Sequence, residues 1–191
     1  QVLEREQVYY PHDGVPKAAW KIVVKSTTPA MEQKLYIDAQ SGELLGQIDL
    51  LKKQNGRGQV FDPNPVVTLN DTSLEDNSTI PNAAYGEVTL LGLDNSGHLD
   101  GPFVSTSATS NRVKKLDREF IFRRMDRAFK EVMVYFHIDR VQRYIQELGF
   151  DNVLNKQIAV NIAGTTEDNS FYRPSDQTLT FGTGGVDDAE D

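Results

Sequence analysis

The stretch from Arg127 to Leu148 constrains the fold more than any other part of this chain. Asp126 offers a side-chain acceptor where a helix would begin, and Gly149 offers a left-handed residue where it would end. Phe150 follows as the apolar lock of such a terminus. The spacing predicts a helix of roughly 33 Å, the width of a domain. Phe129, Val132, Met133, Phe136, Tyr144, Ile145 and Leu148 form one broad face, while Val134, Tyr135 and Ile138 spread apolar surface to other sides. A helix so apolar over 132–138 belongs between layers rather than on top of one. His137, alone among aromatics there, reads as a hydrogen-bonded core residue and not a ligand.

The remaining signals are strand and turn. Lys21–Lys25 is rich in β-branched residues, Lys34–Asp38 alternates apolar with polar, and Ser41-Gly42 turns the chain into Glu43-Leu44-Leu45, which predicts a meander. Residues 52–58, Lys-Lys-Gln-Asn-Gly-Arg-Gly, hold no apolar side chain and read as a linker open to proteolysis. Asp62-Pro63-Asn64-Pro65 is a rigid turn, because each proline fixes its own φ and restricts its predecessor. Glu87–Leu91, Glu119–Arg123 and Ile158–Ile162 read as strands. Ser170–Tyr172 and Thr178–Phe181 flank Arg173–Gln177 as a hairpin. The fold class expected is α+β: an N-terminal antiparallel β module, then a β-rich lobe with one long buried helix.

Composition narrows the function. The chain of 191 residues is 38% hydrophobic and 25% charged, the balance of a globular protein. Its net charge of −8 argues against a general nucleic-acid or anionic-membrane binder, which needs surplus cations. Residues 112–143 are locally basic, but Asp117, Glu119, Asp126, Glu131 and Asp139 interleave with the cations, as on a solvated, salt-bridged helix face. No apolar run approaches the roughly 20 residues that span a bilayer. With no cysteine, disulfides, Cys-ligated zinc and thiol nucleophiles are excluded together.

Little catalytic chemistry is left. His12, His98 and His137 are far apart, without the spacing of a zinc site, and no G-x-S-x-G marks a nucleophile elbow. Gly182-Thr183-Gly184-Gly185 follows a strand like a phosphate loop but lacks the Walker Lys-Ser/Thr. Asp94, Ser96 and Asp100 miss the spacing of a calcium loop and read as a hairpin turn, and calcium use stays open. Asn70-Asp71-Thr72 and Asn77-Ser78-Thr79 fit the N-glycosylation sequon. The acidic end, Asp187-Asp188-Ala189-Glu190-Asp191, reads either as a solvated tail or as the first turn of a helix.

Several long stretches resemble secreted zinc metallopeptidases of the fungalysin family, relatives of thermolysin. Ala19–Val24 followed by Leu35-Tyr36-Ile37-Asp38-Ala39-Gln40-Ser41-Gly42-Glu43-Leu44-Leu45 is similar to the end of a PepSY-type propeptide. Val60–Pro65, Leu93–Pro102, Val134–Tyr144 and Ser170–Asp191 resemble the start of the catalytic region, up to the approach to its zinc helix. In the family that helix carries H-E-x-x-H, two zinc ligands with a general base between them. No such motif occurs here, so the resemblance implies a chain cut at both ends, inactive alone, with its zinc ligands outside it. The implied organisation is residues 1–51 as propeptide-like, 52–58 as linker and processing zone, and 59–191 as the N-terminal lobe of the catalytic region. Asn169, Ser170, Phe171 and Tyr172 resemble the edge strand that pairs with substrate backbone in thermolysin-like enzymes. The implied partners are a peptide or protein substrate of the parent enzyme, and the propeptide against the catalytic region. The implied location is extracellular, with no nucleic acid and no membrane. The rival reading is a non-catalytic binding protein, inhibitor or chaperone derived from the same two modules.

Overall fold

The computed structural model describes residues 1–27, 30–50, 53–75, 78–150, 153–185 and 187–190. Lys52 of the expected linker, Asn77 of the second sequon, and Val186 and Asp191 of the approach to the zinc helix lie outside them. The fold is α+β, and contacts divide the chain into two compact units, Gln1–Lys52 and Lys53–Asp191.

The first unit is an antiparallel meander of β1 (Val2–His12), β2 (Val15–Thr27), β3 (Ala30–Asp38) and β4 (Leu44–Asp49), hydrogen-bonded in that order. The meander over β2–β4 matches the sequence expectation, whereas β1 was not anticipated. Its signal is the Asp13-Gly14 pair, both at positive φ (51° and 78°), which makes the tight turn that a twisted hairpin favours. The turn from β3 into β4 is fixed by Asp38, whose Oδ1 accepts from the Gln40 and Ser41 amides at 2.8 and 2.9 Å. On one face Tyr10 stacks on Tyr36 at 4.3 Å, and Gly46 leaves the room that the Tyr10 hydroxyl occupies.

The second unit contains β5 (Gln54–Val60), α1 (Pro65–Leu69), β6 (Gly86–Leu93), β7 (Val104–Ser105), β8 (Glu119–Phe120), α2 (Arg127–Glu147), β9 (Ile158–Thr165), β10 (Phe171–Arg173) and β11 (Thr178–Gly182). Two sheets form, in the orders β6-β5-β8 and β10-β11-β9-β7. The second is mixed: β7, β9 and β11 run parallel, and β10 returns antiparallel to β11. The first half of α2 fills the core, with Phe129, Val132, Met133, Val134 and Tyr135 all buried beside Val60, Phe61, Leu90, Val104, Val160 and Ile162.

The helix begins as expected, with Asp126 Oδ1 accepting from the Ala128 amide at 2.9 Å. It ends in a Schellman motif: the amides of Gly149 and Phe150 donate to the carbonyls of Gln146 and Ile145. The Phe150 ring, expected as an apolar lock, is 55% exposed, so backbone hydrogen bonds alone close this terminus. Tyr144 and Leu148, placed on the buried face from sequence, are also exposed. Among the described residues no helix is long and apolar enough to cross a membrane.

Two sequence readings are corrected. Residues 54–58, read as linker, are the central strand of the first sheet. Gly56 and Gly58 carry no side chain because neighbours occupy that space: a Cβ on Gly56 would lie 2.7 Å from Leu93 Cδ1 and 2.8 Å from the Arg118 carbonyl. Glu131 and Asp139, read as part of a solvated helix face, are buried.

Candidate functional site

The hairpin β10–β11 places the residues singled out from sequence. Phe171 pairs with Thr180, Tyr172 with Leu179 and Arg173 with Thr178. The opposite side of β10 has no strand partner among the described residues, so its main-chain donors and acceptors form the rim of the sheet. Asn169 and Ser170 are exposed ahead of the strand, Phe171 is half-buried under the Arg173 guanidinium, and Tyr172 is 44% exposed.

The glycine run after β11 is structural rather than a phosphate cradle. A Cβ on Gly182 would lie 2.1 Å from the Glu167 carbonyl, and one on Gly184 would lie 2.6 Å from the Asp168 amide. The amides of Thr183 and Gly184 donate to the carbonyls of Thr165 and Glu167 at 3.1 and 3.3 Å, so they are not presented to an anion. The run needs glycine because two backbone segments lie in contact there.

Nor is the acidic end a solvated tail. Ala189 and Glu190 are buried, and the backbone turns without forming a helix. Arg124 donates from Nε to Glu190 at 2.6 Å, Lys130 pairs with Asp187, and Ser170 Oγ donates to Asp188 at 2.5 Å. These contacts tie residues 187–190 both to the start of α2 and to the head of the edge strand. Between them lies a cleft of about 480 Å³ bordered by Arg127, Ala163 and Thr183, with Met125, 95% exposed, at its side. Burial raises the Glu190 carboxyl above the ordinary range, against the opposing pull of Arg124.

The histidines are committed elsewhere. His137 donates from Nε2 to the Phe61 carbonyl at 2.9 Å, and its Nδ1 faces Arg140 at 3.2 Å, so it is hydrogen-bonded as expected but half-buried at the margin of the core rather than within it. Its pKa is lowered, chiefly by desolvation. His98 Nδ1 lies 2.6 Å from the Val113 carbonyl, and His12 lies 3.5 Å from Asp13 in the other unit. Among the described residues no group of three or more His, Cys, Asp or Glu stands together to hold a metal.

One buried polar network escaped the sequence reading. Asp100 takes both Ser105 and Arg112, and Arg112 Nε also donates to Thr106 at 3.1 Å. Beside it, Glu131 Oε1 accepts from the Val113 amide at 3.0 Å, while Oε2 is buried without a hydrogen-bond partner among the described residues. Burial, opposed by that amide, raises the Glu131 carboxyl. The available signal was a glutamate inside the most apolar stretch of a helix, where a charge meets desolvation first. The first sequon residue, Asn70, is exposed and caps α1 at φ 51°. Compared with protein-family models, curated proteins and solved structures, the chain matches none of them.

Proposed function

We propose that this chain is part of a secreted zinc-dependent endopeptidase precursor, joining the end of its propeptide to the N-terminal lobe of its catalytic region. The observation that carries the reading is the edge of β10 that has no strand partner among the described residues, two residues after Asn169 in the Asn-Ser-Phe-Tyr motif. An extended peptide laid along that edge gains main-chain hydrogen bonds that are largely indifferent to its sequence, which suits an endopeptidase. The Asn169 amide adds one donor and one acceptor at the entry to the strand. The Ser170–Asp188 bond supports the same reading, since it fastens the segment that resembles the approach to the zinc helix onto the strand that would hold substrate.

Zinc would be supplied by ligands of the parent protein, and no chemical step is assigned to the residues of this chain. The test is hydrolysis of an unfolded protein substrate by the mature parent enzyme, with a zinc chelator and then with zinc restored. Activity that disappears and returns is expected, and the 191-residue chain alone should show none. A coding sequence without H-E-x-x-H beyond Asp191 sinks the peptidase reading and leaves the non-catalytic binding protein.

A further inference from the structure

We propose that the outer half of α2 is a self-association surface, on which a second copy of this chain packs antiparallel to the first. The inner half of the helix is enclosed, yet Val141, Tyr144 and Leu148 are 57%, 59% and 55% exposed. Their spacing of three and then four residues is that of a helix–helix seam, and no described residue of the second unit covers it. The stripe borders a groove of about 530 Å³ between α2 and β6, floored by Leu90, Leu91 and Phe136, which offers room for apolar side chains of the partner helix.

The charges beside the stripe select both the occupant and its direction. Arg140 and Glu147 lie seven residues apart on one flank. Arg140 is held by Asp62 at 2.5 and 3.1 Å and keeps 48% of its side chain exposed. Glu147 is exposed and has no ion-pair partner among the described residues. When two copies of one helix pair antiparallel about a two-fold axis, like flanks face each other, so Arg140 of each copy meets Glu147 of the other. One surface thereby makes two reciprocal ion pairs around an apolar seam. A parallel pair would set that flank against Ile138 and Ile145, leaving Glu147 unanswered. Seams this short fall at the small end of specific interfaces, about 1,200 Å² in total, so micromolar association is expected.

Sedimentation of the 191-residue chain over a concentration series tests this directly. A monomer–dimer equilibrium is expected, weakened by about tenfold or more in Glu147→Arg and abolished in Val141→Asp. Arg140→Glu alone should weaken it to a degree similar to Glu147→Arg. An equimolar mixture of Arg140→Glu and Glu147→Arg chains should associate again, because each then answers the other's charge twice. Circular dichroism checks that each variant is folded, and the rescue in the mixture guards against a merely damaged helix. A wild-type chain that stays monomeric at high micromolar concentration overturns the proposal. So does a dimer indifferent to Glu147→Arg, or variant chains that fail to associate when mixed.

Discussion

Gly58 lies against Val132: a Cβ built on the glycine would stand 2.8 Å from Val132 Cγ1 and 3.0 Å from both Leu90 methyls. The central strand of the first sheet is bare at this point so that α2 and β6 can close over it. Gly58→Ala should therefore destabilise the second unit by about 1–3 kcal/mol through overpacking. Urea unfolding followed by circular dichroism measures this. Arg57 lies in the same strand, so trypsin should not cut there while the unit is folded, contrary to the linker reading.

Tyr135 donates from its hydroxyl to the Leu91 carbonyl at 2.7 Å, with the ring fully buried against Gly101. Tyr135→Phe keeps the packing and leaves that carbonyl unanswered. A loss of about 1–3 kcal/mol is expected, read from the shift in unfolding midpoint. A loss within error of zero would mean that water reaches the Leu91 carbonyl.

Glu131 should make stability depend on pH. Its folded pKa is raised by burial, so the folded state binds the proton more tightly than the unfolded chain. Its contribution is greatest below pH about 4.5 and declines as pH rises through the raised value. Glu131→Gln keeps an acceptor for the Val113 amide and removes the charge. The variant should gain on the wild type as pH rises from 4 to 7, in a series of urea midpoints, and the gain should fade in acid.

His137 carries the opposite sign. Desolvation lowers its pKa, so its contribution is fully present above the ordinary value of 6.5 and is lost as pH falls through the lowered one. Nitrogen NMR of the imidazole should show the neutral Nε2–H tautomer at pH 6.5, since that nitrogen donates to Phe61. A protonated ring at that pH would contradict the burial of this site.

Arg124 and Glu190 form a pair whose side chains are 13% and 5% exposed. Arg124→Met strands the carboxylate and should cost about 3 kcal/mol or more at neutral pH. Because the Glu190 pKa is already raised, the loss should shrink in acid as the carboxyl protonates. Thermal unfolding at pH 4 and pH 7 compares the two.

How much could be read in advance depended on how local each cause was. The limits of α2 were legible because Asp126 and Gly149 act within one turn of their own positions. The β10–β11 hairpin and the β2–β4 meander were legible for the same reason, since period and turn chemistry are written in adjacent residues. β5 was not, because its glycines answer to Leu93, Arg118, Leu90 and Val132, whose approach adjacent residues do not record. The acidic end misled in the same way: Asp187 and Glu190 look like solvated charges until Lys130 and Arg124 are brought beside them.

The sequence by itself determined the α+β class, the ends of the long helix and the strand at Phe171-Tyr172. Only the tertiary structure decided that this strand lies at a sheet edge, that residues 187–190 fold onto it and onto α2, and that no described residue of the second unit covers the outer half of α2. The physical reason is that propensity, capping and turn geometry act over a few residues. Burial, edge position and charge pairing depend on which distant residues come together.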